Sequence, residues 1–502
     1  MRRPASASSV TPRESEQRRR PNILVVFADQ LRGCSLGHVG QEPVITPNLD
    51  RFAAQGLRMT RAVANCPLCC PMRASMLTGQ HALRHGVIGN DIRLREDAPC
   101  VAKALHTVGY RTAYIGKWHL DGSDRTAFTP PGPGRQGFGF WAACNCNHLY
   151  YEAYYYRDEP EPIWMDGYEP TAQTDLAIEY LRNHANLTRD RRASAVLPSP
   201  LRGEGPGGEV ASQPFCLFLS YGPPHCPYDH VPERFRCLYD PAVLPMRLNA
   251  VAPDPGVVAG YYAHVTALDW NFGRLVDALD ETGLADDTLV IFTSDHGDML
   301  YSHGRGWKSK PWAESVIVPL IAQWPGVIPE GISEPAPFGL VDLAPTLCAV
   351  AGAPIPDDME GFAWLDMLLG RPGPRPGSQP IYLTLHAVPQ SFAVWRGVVT
   401  ATHTYARFRN RPWVLYDDTD DPYQMRNLAS DPAQSALEST LDDGLQGWLA
   451  RMGDDFAEAD ELARRYGVVT TEHGVPVIEQ QPGIIEEQRR RAETRAIRMR
   501  EG

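Results

Sequence analysis

No run of about 18 apolar residues occurs in the chain, which excludes a membrane-spanning helix by length. The first twenty residues are rich in Arg, Ser, Glu and Pro and lack the apolar centre of a secretory leader. Residues 1–20 therefore read as a disordered tail and the expected location is cytoplasmic; a different true start would allow a periplasmic or secreted protein. Positive charge is also scarce. Forty-eight Lys and Arg (48) stand against 60 Asp and Glu, a net charge of −12, which argues against general binding to nucleic acid. An anionic small molecule stays admissible, because a pocket needs only local positive charge. The cysteines, 11 in all, are odd in number and irregularly spaced, so no disulfide framework is indicated. Cys66-x-x-Cys69 has no second Cys-x-x-Cys to complete a zinc site, leaving a redox pair or small buried hydrophobes as its ordinary readings.

What is present is a globular composition, 43% hydrophobic and 22% charged, over 502 residues. That length accommodates one large α/β domain and a smaller one. Asn22–Phe27 is a continuous apolar run, the pattern of a strand buried on both faces, and it ends in Ala28-Asp29-Gln30. Three more segments repeat the layout: Thr112–Ile115 before Gly116-Lys117-Trp118-His119, Phe215–Tyr221 before Gly222-Pro223-Pro224-His225, and Thr288–Phe292 before Thr293-Ser294-Asp295-His296-Gly297-Asp298. One such strand end is a solvated turn as readily as a site. Four that each deliver Asp, His or Lys suggest a shared one, since ligands collect at the carboxyl ends of strands in open α/β sheets.

Helices fit between these strands. Thr46–Ala53 reads as a capped start, and Tyr261, Val265, Leu268, Phe272, Leu275 and Leu279 recur at helical spacing. Leu176, Tyr180 and Leu181 mark another helix. Residues 189–213 are Pro/Gly-rich without periodicity and read as a disordered insertion in a catalytic domain of residues 21–370. After a Pro/Gly-rich link, residues 381–450 carry short strand patterns of a second subdomain, and residues 451–502 form a charged tail, partly helical by composition.

The densest chemistry lies in Cys66-Pro-Leu-Cys69-Cys70-Pro71-Met72-Arg73-Ala74-Ser75-Met76-Leu77-Thr78-Gly79. Helix-forming residues after Pro71 place Cys69 near a helix N-terminus, where N–H groups favour anions, with Arg73 one turn in. Cys69-x-Pro71-x-Arg73-x-x-x-Leu77-Thr78-Gly79 resembles the signature of the type I sulfatases, whose cysteine is oxidised to formylglycine. The resemblance runs over about residues 21–450, through the Asp29 strand end, Gly116-Lys117-Trp118-His119, Pro224-His225-x-Pro227, Ser294-Asp295-His296-Gly297, Lys308, and Leu415-Tyr416-Asp417 with Asp421-Pro422 and Asn427-Leu428. Trp312-Ala313-Glu314-Ser315 departs from the family's usual Tyr-Glu-Glu-Ser.

Membership would imply an alkaline-phosphatase-like α/β fold: a large, mostly parallel mixed sheet flanked by helices, plus a smaller C-terminal α+β subdomain with a short antiparallel sheet. It would also imply one divalent cation held by Asp29, Gln30, Asp295, His296 and the modified Cys69. Calcium is expected, because carboxylate and amide oxygens suit a hard ion. Gln30 in place of Asp and His296 in place of Asn leave manganese or magnesium open. The family roles fall on Arg73 and Lys117 beside the nucleophile, His119 as base in the release step, and His225 and Lys308 on the sulfate and the leaving oxygen. Asp91, Arg93 and His148 are candidates to line a sugar pocket, with a tyrosine-rich packing surface as the equal alternative for the run His148–Tyr156.

The expected reaction is hydrolysis of a sulfate ester, of a carbohydrate by preference, and it would require a formylglycine-generating or sulfatase-maturating enzyme as partner. Two other functions fit the residues: a phosphodiesterase or phosphonate monoester hydrolase of the same superfamily, and a non-catalytic binder of sulfated glycans with Cys69 unmodified.

Overall fold

The computed structural model describes residues 20–196, 213–385, 393–472 and 475–501. Its centre is an eight-stranded sheet. In chain order the strands are β1 (Asn22–Asp29), β2 (Leu57–Met59), β3 (Arg111–Lys117), β4 (Phe140–Cys144), β5 (Phe215–Pro224), β6 (Thr288–Ser294), β7 (Leu320–Gln323) and β8 (Ile332–Glu334). They lie side by side as β8-β2-β7-β6-β1-β5-β3-β4. Only β7 runs antiparallel to its neighbours. The central strands β6, β1, β5, β3 and β4 are all parallel.

The apolar run of β1 has a direct cause. Ile23, Val25 and Phe27 enter one core, shared with Met72 and Met76 of helix α1 (Cys69–Thr78). Leu24, Val26 and Ala28 enter the other, shared with α2 (Glu169–Val196) and α3 (Pro255–Thr282). A strand covered on both faces has no side for polar residues. Helix α3 begins where the carboxylate of Asp254 accepts from the backbone N–H of Gly256 and Val257, and it stops at Gly283 (φ 70°).

A four-stranded antiparallel sheet, Ser378–Leu383, Trp395–Thr400, His403–Phe408 and Arg411–Asp417, follows in sequential order. A helix over Ser435–Met452 covers it through Leu441, Leu445 and Leu449. The unusual Trp312 sits at the joint between the sheets: its indole N–H donates to Tyr416 Oη at 3.1 Å, and its ring stacks on His303 at 4.9 Å.

Two stretches differ from the sequence reading. Helix α2 continues to Val196, eight residues into the stretch expected to be unstructured, because residues 189–196 are mostly Arg and Ala, which favour helix. Residues 197–212 and the tail at 1–19 lie outside the described residues. The charged C-terminal segment forms helices over Ala459–Tyr466 and Pro482–Glu501. The second packs back on the large domain: Gln488 Nε2 donates to Asn147 Oδ1 at 3.0 Å, and Arg495 pairs with buried Glu152 at 3.0 Å. Few apolar residues anchor it, so its docking left little mark on hydrophobic periodicity. Among the described residues no helix is long and apolar enough to cross a membrane.

Buried neutral histidines make the fold acid-sensitive. His85 accepts from Val87 N–H at Nδ1 (3.1 Å) and donates from Nε2 to Ser75 Oγ (3.0 Å). His264 accepts from Tyr168 Oη at Nδ1 (2.8 Å) and donates from Nε2 to Pro227 O (3.2 Å). Each ring has one donor and one acceptor, so the cation has no place, and burial pushes both residues down to about 3. Unfolded, each titrates near 6.5. Between those values the unfolded chain holds the extra protons, so stability is complete above about pH 6.5 and falls as pH drops. The slope approaches about 1.4 kcal/mol per pH unit for each such histidine. Melting temperature should therefore fall steadily from pH 7 to 5, and less steeply in His264→Gln; a flat wild-type profile would contradict neutral burial.

Candidate active site

Because β6, β1, β5 and β3 are adjacent and parallel, their carboxyl ends meet along one edge. They deliver Asp29 from β1, Lys117 from β3, His225 just after β5, and Asp295 and His296 just after β6. Helix α1 starts at the same edge with Cys69 as its first residue, so the positive end of its dipole faces the cluster.

Local backbone geometry aims these side chains. Gly116 (φ 103°) lets β3 approach β5, since a Cβ there would lie 2.0 Å from Ser220 O. Gln30 (φ 72°), Asp91 (φ 59°), His119 (φ 56°), Trp307 (φ 64°) and Ser309 (φ 73°) are non-glycine residues at positive φ. Each costs on the order of 1–3 kcal/mol, which surrounding packing must offset.

Arg73 is the keystone of the polar cluster. Its Nε donates to Asp295 Oδ2 (3.0 Å), Nη2 to Asp29 Oδ2 (3.3 Å), and Nη1 to Lys117 O (2.8 Å) and Ser220 Oγ (2.7 Å). Lys117 Nζ meets Asp29 Oδ2 at 2.5 Å and His148 Nε2 at 3.1 Å. Lys308 Nζ donates to Gln30 Oε1 (2.7 Å) and lies 3.3 Å from Cys69 Sγ. Burial and the Asp29 charge push the Cys69 thiol up, but Lys117 and Lys308 outweigh them and hold it well below the usual thiol range. Burial likewise opposes ionisation of Asp29, and Lys117 and Arg73 reverse the balance and lower it.

Asp29, Cys69, Asp295 and His296 each offer one ligand atom, all within 4.8 Å of one another and all buried. Cys69 Sγ and His296 Nε2 are 3.3 Å apart, and Nε2 lies 3.6 Å from both Asp29 Oδ1 and Asp295 Oδ1. His296 Nδ1 lies 3.0 Å from Gly297 O, which fixes the proton there and turns the Nε2 lone pair into the cluster. Burial and the charge on Asp29 raise Asp295. Two facing carboxylates, a thiol and a directed lone pair fit a divalent cation.

The remaining predicted residues fall in three places. His225 and His148 stack at 4.0 Å and 8°, at the edge of the cluster. Burial and Lys308 push His225 down to about 3. Asp91 does not face open space: it accepts from His119 Nε2 (3.1 Å) and from Arg125 Nε and Nη2 (both 2.8 Å), so it holds a histidine. Arg93 lies apart, 54% exposed and paired with Asp121 at 2.8 Å. In the aromatic run the His148 side chain reaches the cluster and the Tyr150 hydroxyl donates to His225 O at 2.5 Å, while the Tyr150, Tyr154 and Tyr156 rings are buried in the core. Ser220, Arg125 and Asp298 were not singled out by chemistry. Asp298 Oδ2 accepts from Gln30 Nε2 at 2.7 Å. Its place after Asp295-His296 was a usable signal, whereas Arg125 had none.

Two family descriptions match the chain: Sulfatase over residues 21–353, and N-sulphoglucosamine sulphohydrolase, C-terminal, over residues 303–450. An ulvan-active sulfatase of Formosa agariphila is 33% identical over 469 residues, covering 91% of this chain and 87% of the relative. An endo-4-O-sulfatase of Bacteroides thetaiotaomicron is 29% identical over 485 residues, covering 84% of this chain and 91% of the relative. A solved structure from work on the metabolism of multiple glycosaminoglycans by Bacteroides thetaiotaomicron has 27% identity and a TM-score of 0.76, covering 89% of this chain and 99% of the other. With its strand ends, its cysteine-led helix and this match over most of its length, the chain belongs to the sulfatase family of the alkaline-phosphatase-like fold and is a sulfuric ester hydrolase.

Proposed function

We propose that the protein removes sulfate from a sulfated carbohydrate, using a formylglycine made from Cys69 by a maturating enzyme, with calcium at the Asp29–Asp295 cluster. One observation carries this reading: Cys69 opens a buried helix with Lys308 Nζ at 3.3 Å, His296 Nε2 at 3.3 Å and Asp29 Oδ1 at 3.8 Å. A bare thiol there would not let sulfate go easily. Hydrated formylglycine supplies two geminal hydroxyls, one to attack sulfur and one to expel sulfate as the aldehyde reforms. Asp29, Asp295, His296 and residue 69 would hold the cation, which withdraws charge from a sulfate oxygen as a Lewis acid. Gln30 Oε1 accepts from Lys308 at 2.7 Å and keeps a second lone pair with which it would join them; the nitrogen of His296 keeps manganese and magnesium open.

Lys117 and Lys308 provide ammonium donors for the sulfate oxygens, each steadied by a buried acceptor, Asp29 and Gln30. Arg73, committed to both carboxylates, sets their spacing. His225 Nδ1 lies 2.9 Å from Cys226 O, so its proton is donated there and Nε2 makes no hydrogen bond among the described residues. An incoming sulfate anion offsets the Lys308 charge and lets Nε2 carry a proton for the departing alcohol oxygen. His119 gives its Nε2–H to Asp91 and keeps Nδ1 without a hydrogen-bond partner among the described residues, as a base needs.

Three tests follow. Turnover of 4-nitrophenyl sulfate should exceed that of bis(4-nitrophenyl) phosphate by at least about tenfold in kcat/KM, about 1.4 kcal/mol in barrier. The reverse order would overturn the reading in favour of phosphodiester hydrolysis. In the same assay Cys69→Ser should trap a sulfated serine seen by mass spectrometry, because one hydroxyl attacks and none expels, while Cys69→Ala carries no adduct and does not turn over. Steady hydrolysis by the Ala protein refutes the nucleophile.

Exhaustive chelation should stop turnover and lower the melting temperature together, since Asp29 and Asp295 then repel without a cation. If both stay unchanged, the cluster holds no metal.

Asp91→Asn should slow turnover about 10–100-fold, the range seen when a partner that orients an active-site histidine is removed. Its acid limb in the kcat profile should move to lower pH, because losing the Asp91 charge makes His119 a weaker base, deprotonated earlier. A slower enzyme with an unshifted limb would assign Asp91 a purely structural part.

A further inference from the structure

We propose that the C-terminal helix Pro482–Glu501 builds a second glycan subsite beside the reaction centre, in which Arg489 receives an anionic group, a carboxylate or a second sulfate, on the sugar next to the one that loses sulfate. This rests on the carbohydrate sulfatase reading above and adds what that reading leaves open, the character of the neighbouring sugar.

The helix lies beyond residue 450, where the second of the two family matches ends. Its approach is anchored by backbone and side-chain bonds: Arg125 N–H donates to Glu479 O (3.0 Å), Glu479 N–H to Ser123 O (2.8 Å), and Gln481 N–H to Thr126 Oγ1 (2.7 Å). Arg495 lies over the Tyr151 ring at 4.6 Å and Arg491 over Trp164 at 4.4 Å, which fixes the helix against the segment that follows β4.

Between helix and segment lies a cavity of about 450 Å³ lined by His148, Glu152 and His230 on one side and Arg489, Ala492 and Arg495 on the other. That volume falls in the range of about 300–1,000 Å³ usual for small-molecule sites. His148 is its link to the chemistry: Nε2 is 3.1 Å from Lys117 Nζ, and the ring stacks on His225 at 4.0 Å. One side chain therefore separates the cavity from the residues proposed to hold sulfate and protonate the leaving oxygen.

The charges in the cavity are unequal. Arg125 at its rim is bound by both oxygens of Asp91, and Arg495 is paired with Glu152. On the helix, Arg490 and Arg491 both pair with Glu487. Arg489, exposed and lining the cavity, makes no ion pair among the described residues, so its guanidinium is uncompensated. Glu152 is buried with Oε1 bound to Arg495, and among the described residues neither its Oε2 nor His230 Nδ1 has a hydrogen-bond partner. A free guanidinium beside unpartnered acceptors suits a ligand with hydroxyl donors and an anionic substituent, which is an acidic sugar.

The test compares three sulfated disaccharides that differ only in the neighbouring sugar: neutral, carboxylated or bearing a second sulfate. In wild type, kcat/KM should favour one or both acidic substrates over the neutral one, and which of the two is favoured names the anion. Arg489→Glu should cut the acidic-to-neutral ratio about tenfold or more, mainly through KM, and Arg489→Lys should recover most of it. Ala492→Trp, which fills the cavity without changing charge, should raise KM for all three disaccharides. An unchanged ratio in a well-folded Arg489→Glu protein, with a matching melting temperature, overturns the proposal. Absence of hydrolysis of every sulfate ester, 4-nitrophenyl sulfate included, by wild type would instead fail the sulfatase reading beneath it.

Discussion

The ionised carboxylate of Asp29, buried without exposure, is the constraint on which the site depends. An unpaired charge at such a place costs several kcal/mol even after the protein relaxes. The chain offsets this with the ammonium of Lys117 and the guanidinium of Arg73, brought from β3 and α1. Arg73 also bonds Asp295, so one side chain ties three elements together through charge. Removing any member leaves the others buried and uncompensated, which is why helix, strands and cluster form as a unit.

That unit stands on a parallel sheet. Strands β6, β1, β5 and β3 share a direction, so four separate segments present their last residues on one edge without any long excursion. Gln30 and His119, at the same edge, are held at positive φ. Core packing on both faces of β1 supplies the rigidity that holds these residues at positive φ.

Around this centre the rest of the chain supplies walls. The antiparallel sheet meets the large domain through Trp312, whose bond to Tyr416 makes the family departure at this position a packing contact. The C-terminal helix reaches the segment after β4 by hydrogen bonds and stacked arginines, with little apolar burial. A contact of that kind defines shape and charge near the site while contributing modestly to stability.

Much of this was legible in the residues. The apolar run before Asp29 had the pattern of a strand covered on both sides, and three further runs ending in Lys117, His225 and Asp295-His296 suggested one shared edge, because period and composition are local properties. The cysteine-led stretch likewise announced its helix and its chemistry. What the tertiary structure decided were partnerships across long separations. Asp91 binds His119 and Arg125, Arg93 turns to Asp121 at the surface, and Gln30 is engaged by Lys308, 278 positions away. It likewise decided that a charged C-terminal stretch returns to Glu152 and Asn147. Hydrogen bonds and ion pairs of this kind leave no periodic trace in a sequence, since they depend on where two distant side chains point once the cores have formed.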